Sequence, residues 1–169
     1  MNIHVRNIII GAGAVAVLIT GAAWMRQLAA TESASQKEWS GAVLAAQESF
    51  YDFGTISMAA GTVRNVFVIR NDGAEPVTIT KITTSCMCTK ATLKSGGRSF
   101  GPFGMPGHGA VPGILQVITP GETAEIAAVF DPAAHGPSGT GKIRRVVSIE
   151  TNSQIKPRLE LSFAADVTP

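Results

Sequence analysis

Alternation of apolar and polar residues organises most of this chain. In TVRNVFVIRNDG, residues 62–73, Val63, Phe67 and Ile69 share one side of an extended backbone, and the run closes in Asn71-Asp72-Gly73, a strong turn signal. TPGETAEIAAVFDP, 119–132, opens with a Pro120-Gly121 turn and sets Ala124, Ile126, Ala128 and Phe130 on one face. KIRRVVSIETN, 142–152, alternates through Ile143, Arg145, Val147 and Ile149. PRLELSFAADV, 157–167, groups Leu159, Leu161, Phe163 and Ala165 against Arg158, Glu160 and Ser162. FYDFGTI, 50–56, predicts a first strand broken by a glycine; EPVTITKI, 75–82, predicts another, its proline at the start where a missing N–H is tolerated. No run past the N-terminal segment keeps a helical period. The pattern predicts an all-β sandwich of about seven strands in a domain over 43–169.

Two segments depart from this pattern. Residues 8–24, IIIGAGAVAVLITGAAW, carry no charge and follow Arg6; their length lies between a signal-peptide core and a membrane span. No convincing small-x-small cleavage site follows, so an uncleaved anchor is favoured over a removed signal, and residues 1–28 are read as an N-terminal transmembrane or signal helix. The small, polar stretch 29–42 reads as a linker, and the domain is expected to lie outside the cytoplasm, facing the periplasm or the cell exterior. The second departure is a glycine-rich insert at 94–113, within LKSGGRSFGPFGMPGHGAVPG, whose glycines and prolines argue against a regular strand or helix.

Composition supports strands and turns: only 15% of residues are charged, while 18 Gly and 9 Pro supply turn chemistry. A net charge of +2, scattered along the chain, gives no case for nucleic acid, and the basic pair Arg144-Arg145 reads as a solvated strand face. Enzyme motifs are missing: there is no G-x-S-x-G, H-E-x-x-H or phosphate loop, and the acids fall mostly at turns or on outward faces. The chain reads as a binding module and not as an enzyme.

The candidate chemistry lies in TTSCMCTK, 83–90, which holds both cysteines of the chain. If this segment is extended, Cys86 and Cys88 point to one side and present two sulfurs to one ion, a soft pair suited to Cu(I) or Zn(II). Met105 and His108 in the insert, and His135 in the DPAAHG turn, are the available further donors; a thioether among them leans towards copper. Three other readings stay open. Two cysteines outside the cytoplasm normally oxidise, although a bridge across one residue is expected to depart from the usual Cα separation. A redox role would use that bridge. Alternatively the cysteines simply fill the end of the core. His108 also reads as an exposed loop histidine, and His135 as a turn cap bonded to backbone.

Together the motifs resemble a known family. YDFGTI at 51–56, the V-x-x-x-F-x-x-x-N-x-G strand (Val63, Phe67, Asn71, Gly73), TSCMCT, P-G-E and F-D-P resemble the bacterial domain of unknown function 1573. The family usually has Gly between its cysteines, where this chain has Met87. That family looks like the Hydin-type immunoglobulin-like domains and commonly follows a signal or anchor. The resemblance therefore implies an immunoglobulin-like β-sandwich and an extracytoplasmic setting, and assigns no activity. The resulting expectation is a membrane-anchored binding module with a copper site of Cys86, Cys88, Met105, His108 and His135. The competing expectation is a structural or adhesion module that binds another protein without metal.

Overall fold

A computed structural model describes residues 39–169. They form ten strands in two five-stranded sheets. The first sheet has the order β1 (Leu44–Ala46), β3 (Val63–Asn71), β8 (Thr123–Phe130), β5 (Thr89–Ser95), β6 (Arg98–Phe103), all antiparallel. The second has the order β2 (Phe50–Ser57), β10 (Arg158–Thr168), β9 (Gly141–Thr151), β4 (Val77–Thr84), β7 (Gln116–Ile118). Its β2–β10 pair is parallel and its other pairs are antiparallel. The all-β sandwich expected from alternation is therefore present, with more strands than the expected seven. Among the described residues no helix is long and apolar enough to cross a membrane. The anchor and most of the linker read from the sequence lie outside the described residues.

The alternating faces became the core. Phe67, Ile69, Ala124, Ile126, Ala128 and Phe130 are buried on the first sheet, and Val147, Ile149, Leu159, Leu161, Phe163 and Ala165 on the second. The Phe163 ring lies 5.6 Å from that of Phe130 across the sheets and 5.4 Å from Phe53, which in turn meets Tyr51 edge-on at 4.9 Å. Edge and tilted ring contacts of this kind add to the burial of apolar area. The glycine break in β2 is a bulge. Asp52 pairs Ala164 while Thr55 pairs Asp166, so β2 carries one extra residue. There Gly54 has φ +66° and donates its N–H to Asp52 Oδ1 at 2.8 Å.

The insert at 94–113 is not irregular throughout, as the sequence suggested. Its first part completes a hairpin: β5 and β6 pair across Gly96-Gly97, which have φ of +56° and +75°. Two consecutive positive φ angles are what a tight two-residue hairpin turn requires, and glycine supplies them without steric cost. The β5 inward positions are Thr89, Ala91, Leu93 and Ser95, too small and polar to give an apolar stripe in the sequence. Residues 104–115 remain non-strand.

Asn71 and Gly73 close the opposite end of the sandwich from the cysteines. Asn71 is fully buried at the end of β3, and its Nδ2 donates to Glu75 O at 2.8 Å and to Ile118 O at 2.9 Å, the latter on β7 of the other sheet. Its Oδ1 accepts from Gly73 N at 3.0 Å. The P-G-E turn docks on the same residue, with Gly121 N donating to Asn71 O and Asn71 N to Glu122 O. Glu122 accepts from Thr119 N and Oγ1, both at 2.9 Å, and these bonds hold its carboxyl below the ordinary value. At Gly73 a Cβ would stand 2.6 Å from Ala42 Cα and 2.9 Å from Val43 N. Backbone on the far side of this contact cannot rotate away, so Gly73→Ala should destabilise the fold by about 1–3 kcal/mol in urea unfolding. A midpoint equal to that of the parent would refute this reading.

Candidate functional site

The TTSCMCTK segment turns; it does not run straight through the cysteines. Thr89 N donates to Cys86 O at 3.1 Å, closing a tight turn, and Thr84 Oγ1 lies 3.0 and 3.1 Å from the carbonyls of Cys86 and Thr89. Ser85 fixes the turn to β9 through two bonds of 2.9 Å, Ser85 N to Val146 O and Val146 N to Ser85 Oγ. Asp131 N donates to Cys88 O at 2.9 Å, which ties the turn to the end of β8 and accounts for the place of F-D-P beside the cysteines. Asp131 Oδ1 in turn accepts from Ala133 N at 2.9 Å and starts the loop that carries His135. Two neighbouring elements, β9 and the end of β8, thus hold the segment.

Cys86 and Cys88 are joined by a disulfide. The expected departure from the usual Cα separation does not occur: the Cα atoms are 5.2 Å apart, inside the ordinary range. The expectation assumed an extended chain, whereas the turn shortens the distance. Both cysteines are buried, Cys86 at 8% exposure and Cys88 at 3%, while Met87 between them is 44% exposed.

Each sulfur has a polar neighbour. His135 Nε2 lies 3.2 Å from Cys86 Sγ, and Arg145 Nε donates to Cys88 Sγ at 3.3 Å. His135 does not cap its turn with its side chain. Its carbonyl accepts from Ser138 Oγ at 2.7 Å, and the ring is left facing the sulfur. The ligand atoms of Cys86, Cys88 and His135 all lie within 4.8 Å of one another. Of the other two candidates, His108 is exposed and outside this group, its backbone N–H donating to Met105 O at 3.2 Å. Met105 is half-buried, one residue beyond Gly104, whose carbonyl accepts the Thr84 N–H at 3.1 Å. That bond tethers the start of the 104–115 loop to the strand leading into the cysteines.

Arg145 is a site residue that the sequence reading assigned to a solvated face. The basic pair is split by the strand. Arg144 lies over the Phe50 ring at 5.2 Å and donates to Ser162 Oγ at 3.0 Å, whereas Arg145 faces the sulfurs. The signal was available, because Arg145 has the same phase as Ile143, Val147 and Ile149 along β9 and so had to point inward. Its guanidinium is further held by Nη1 donating to Arg144 O at 3.0 Å. An open cleft beside the site is lined by His135, Ser138, Thr140, Lys142, Ile143 and Arg145.

Residues 44–97 match the family model described as "Protein of unknown function (DUF1573)", a stretch that includes the YDFGTI, N-x-G and TSCMCT elements and supports the resemblance they carry. No curated protein matches the chain. Among solved structures, a protein of unknown function from Porphyromonas gingivalis W83 is 21% identical over 74% of this chain with a TM-score of 0.54. The two have a common fold. The match spans 46% of that structure's own length. The chain is also similar to PapD-like domain 7 of human CEP192, at 13% identity, 74% of this chain, 84% of that one and a TM-score of 0.44. A further similarity is to the Pseudomonas aeruginosa CupB2 chaperone, at 14% identity, 73% and 55% coverage and a TM-score of 0.38.

Proposed function

We propose that this chain is a membrane-anchored, extracytoplasmic, immunoglobulin-like binding module in which reduced Cys86 and Cys88, with His135, bind Cu(I). The observation that carries the reading is the approach of three soft or borderline donors to within 4.8 Å of one another. Metal–ligand bonds of roughly 2.0–2.3 Å are then reachable by side-chain rotation on a turn held to β9 and to the end of β8. Two thiolates and one imidazole suit a three-coordinate Cu(I) ion, and Met105, on the loop that Gly104 tethers to Thr84, is the thioether the sequence offers in addition. Charge favours the same ion. Two thiolates and Cu(I) sum to −1, which the half-buried Arg145 guanidinium beside Cys88 offsets, whereas Zn(II) would leave that cation without a counter-charge.

The disulfide withholds both thiolates, so loading requires a thiol reductant. That reductant supplies two electrons and two protons and becomes a disulfide itself, and Cu(I) then displaces the two thiol protons. The uncharged run at 8–24 supports anchoring, and an oxidised cysteine pair supports placement outside the cytoplasm. Titration of the reduced chain with Cu(I) against a competing chelator tests the assignment. The parent should bind one ion, the oxidised chain none, and His135→Ala should bind about tenfold more weakly or worse, a loss of ~1.4 kcal/mol or more. If the Cys86→Ser, Cys88→Ser double variant binds as tightly as the parent, the metal reading fails. The competing reading, a module that docks another protein, draws on Leu115 and Val117, which stand 81% and 46% exposed at the edge strand β7. It predicts partner capture unaffected by the double variant.

A further inference from the structure

The two sulfurs of the disulfide are not equivalent. Cys88 Sγ receives the Arg145 Nε–H at 3.3 Å, and Cys86 Sγ has His135 Nε2 at 3.2 Å and is the more exposed of the pair. A guanidinium is always cationic and does not ligate metals, so the one aimed at Cys88 Sγ is not itself a ligand. It does stabilise negative charge on that sulfur. In thiol–disulfide exchange the sulfur that leaves carries off the bond pair as a thiolate, and it leaves faster when that thiolate is stabilised.

We infer that Cys86–Cys88 is an exchange-active disulfide, attacked at Cys86, with Cys88 as the leaving sulfur and a thiol on an anionic carrier as the substrate. In the step, an incoming thiolate forms a bond to Cys86 Sγ. The Cys86–Cys88 bond breaks, and its electron pair departs on Cys88 as a thiolate paired with Arg145. The incoming sulfur is oxidised into the mixed disulfide and Cys88 is reduced. A second thiolate then attacks the carrier's sulfur, releases the carrier as its own disulfide and frees the Cys86 thiolate, to which the His135 ring can donate a hydrogen bond. The preference for an anionic carrier comes from the cleft beside the pair, where Lys142 and Arg145 are lining residues and no acidic side chain is among those lining it. The inference does not rest on copper: exchange is complete when both thiols are free, whether or not an ion follows.

The test uses the oxidised full chain with three small thiols, 2-mercaptoethanesulfonate, 2-mercaptoethanol and cysteamine, compared at equal thiolate concentration. Reactions are quenched by rapid alkylation, and the modified peptides are mapped by mass spectrometry. The expected product is a mixed disulfide on Cys86 with the alkyl group on Cys88. The anionic thiol should react about threefold or more faster than the cationic one, and salt should narrow the gap. Arg145→Gln should slow exchange by about three- to tenfold, and Arg145→Lys should recover part of the loss because it keeps the charge. A mixed disulfide on Cys88, rates indifferent to carrier charge, or an Arg145→Gln variant as fast as the parent each overturns the proposal. The site mapping and the thiol series use the parent chain, so they decide the matter even where a variant folds poorly.

Discussion

Replacing Asn71 by Ala should cost about 3–5 kcal/mol of stability, most of what a domain of this size commonly has to spare. The substitution removes one buried amide that serves three backbone groups, the carbonyls of Glu75 and Ile118 and the N–H of Gly73. Ile118 belongs to the opposite sheet from Asn71, so the loss is a loss of cross-sheet attachment as well as of local turn structure. Each buried group left unpaired costs about 1–3 kcal/mol, and closing water in at this fully buried position is hindered. Asn71→Asp should be worse than Ala, because a carboxylate would face two carbonyl oxygens it cannot donate to. Urea unfolding should show a lowered midpoint with an unchanged slope. A loss under about 1 kcal/mol for Asn71→Ala, or an Asp variant more stable than the Ala variant, would sink this account.

Phe163→Ala should cost about 3–5 kcal/mol and also weaken the site. The ring is fully buried between Phe53 on its own sheet and Phe130 on the facing one, so truncation opens a cavity at the junction of two sheets. Phe163 also sits directly opposite Arg145 in the β9–β10 register. Opposed residues on one sheet face share packing, so the guanidinium that faces Cys88 loses the wall beside it. Phe163→Leu should retain most of the stability, at a cost of about 1–2 kcal/mol, yet still slow exchange at the disulfide. Chemical unfolding and the thiol-exchange assay together check this. Parent-like exchange in a folded Phe163→Ala protein would show that Arg145 is positioned by something else.

Strong alternation made five of the ten strands legible: β3, β4, β8, β9 and β10 follow from their apolar faces, and β2 followed with its glycine break. β1 and β7 have three residues each, too few to show a period. β5 hid because its inward face is Thr, Ala, Leu and Ser, and β6 because RSFGPF contains a Gly-Pro pair and buries only Phe103. At the site, residue type and compartment pointed to Cys86, Cys88 and His135, but an extended backbone was assumed where Thr89 N closes a turn on Cys86 O. Arg145 was the costliest omission. Arg145 alternates with Ile143, Val147 and Ile149, and a cation on the inward phase of a strand is a demand for a partner.

The parallel pairing of β2 with β10 has a consequence for how the domain is made. Ser57 Oγ donates to Pro169 O and Thr168 Oγ1 to Ile56 O, contacts separated by 112 positions in each case. β10 is an inner strand between β2 and β9, so β2 has no neighbour in the second sheet until the last strand emerges. Loop closure on this scale comes late and slowly. During synthesis β2 has to wait, unpaired along its β10-facing side, while more than a hundred further residues are delivered. A domain whose first long strand is completed by its final one cannot close its second sheet until nearly all of its residues have been delivered.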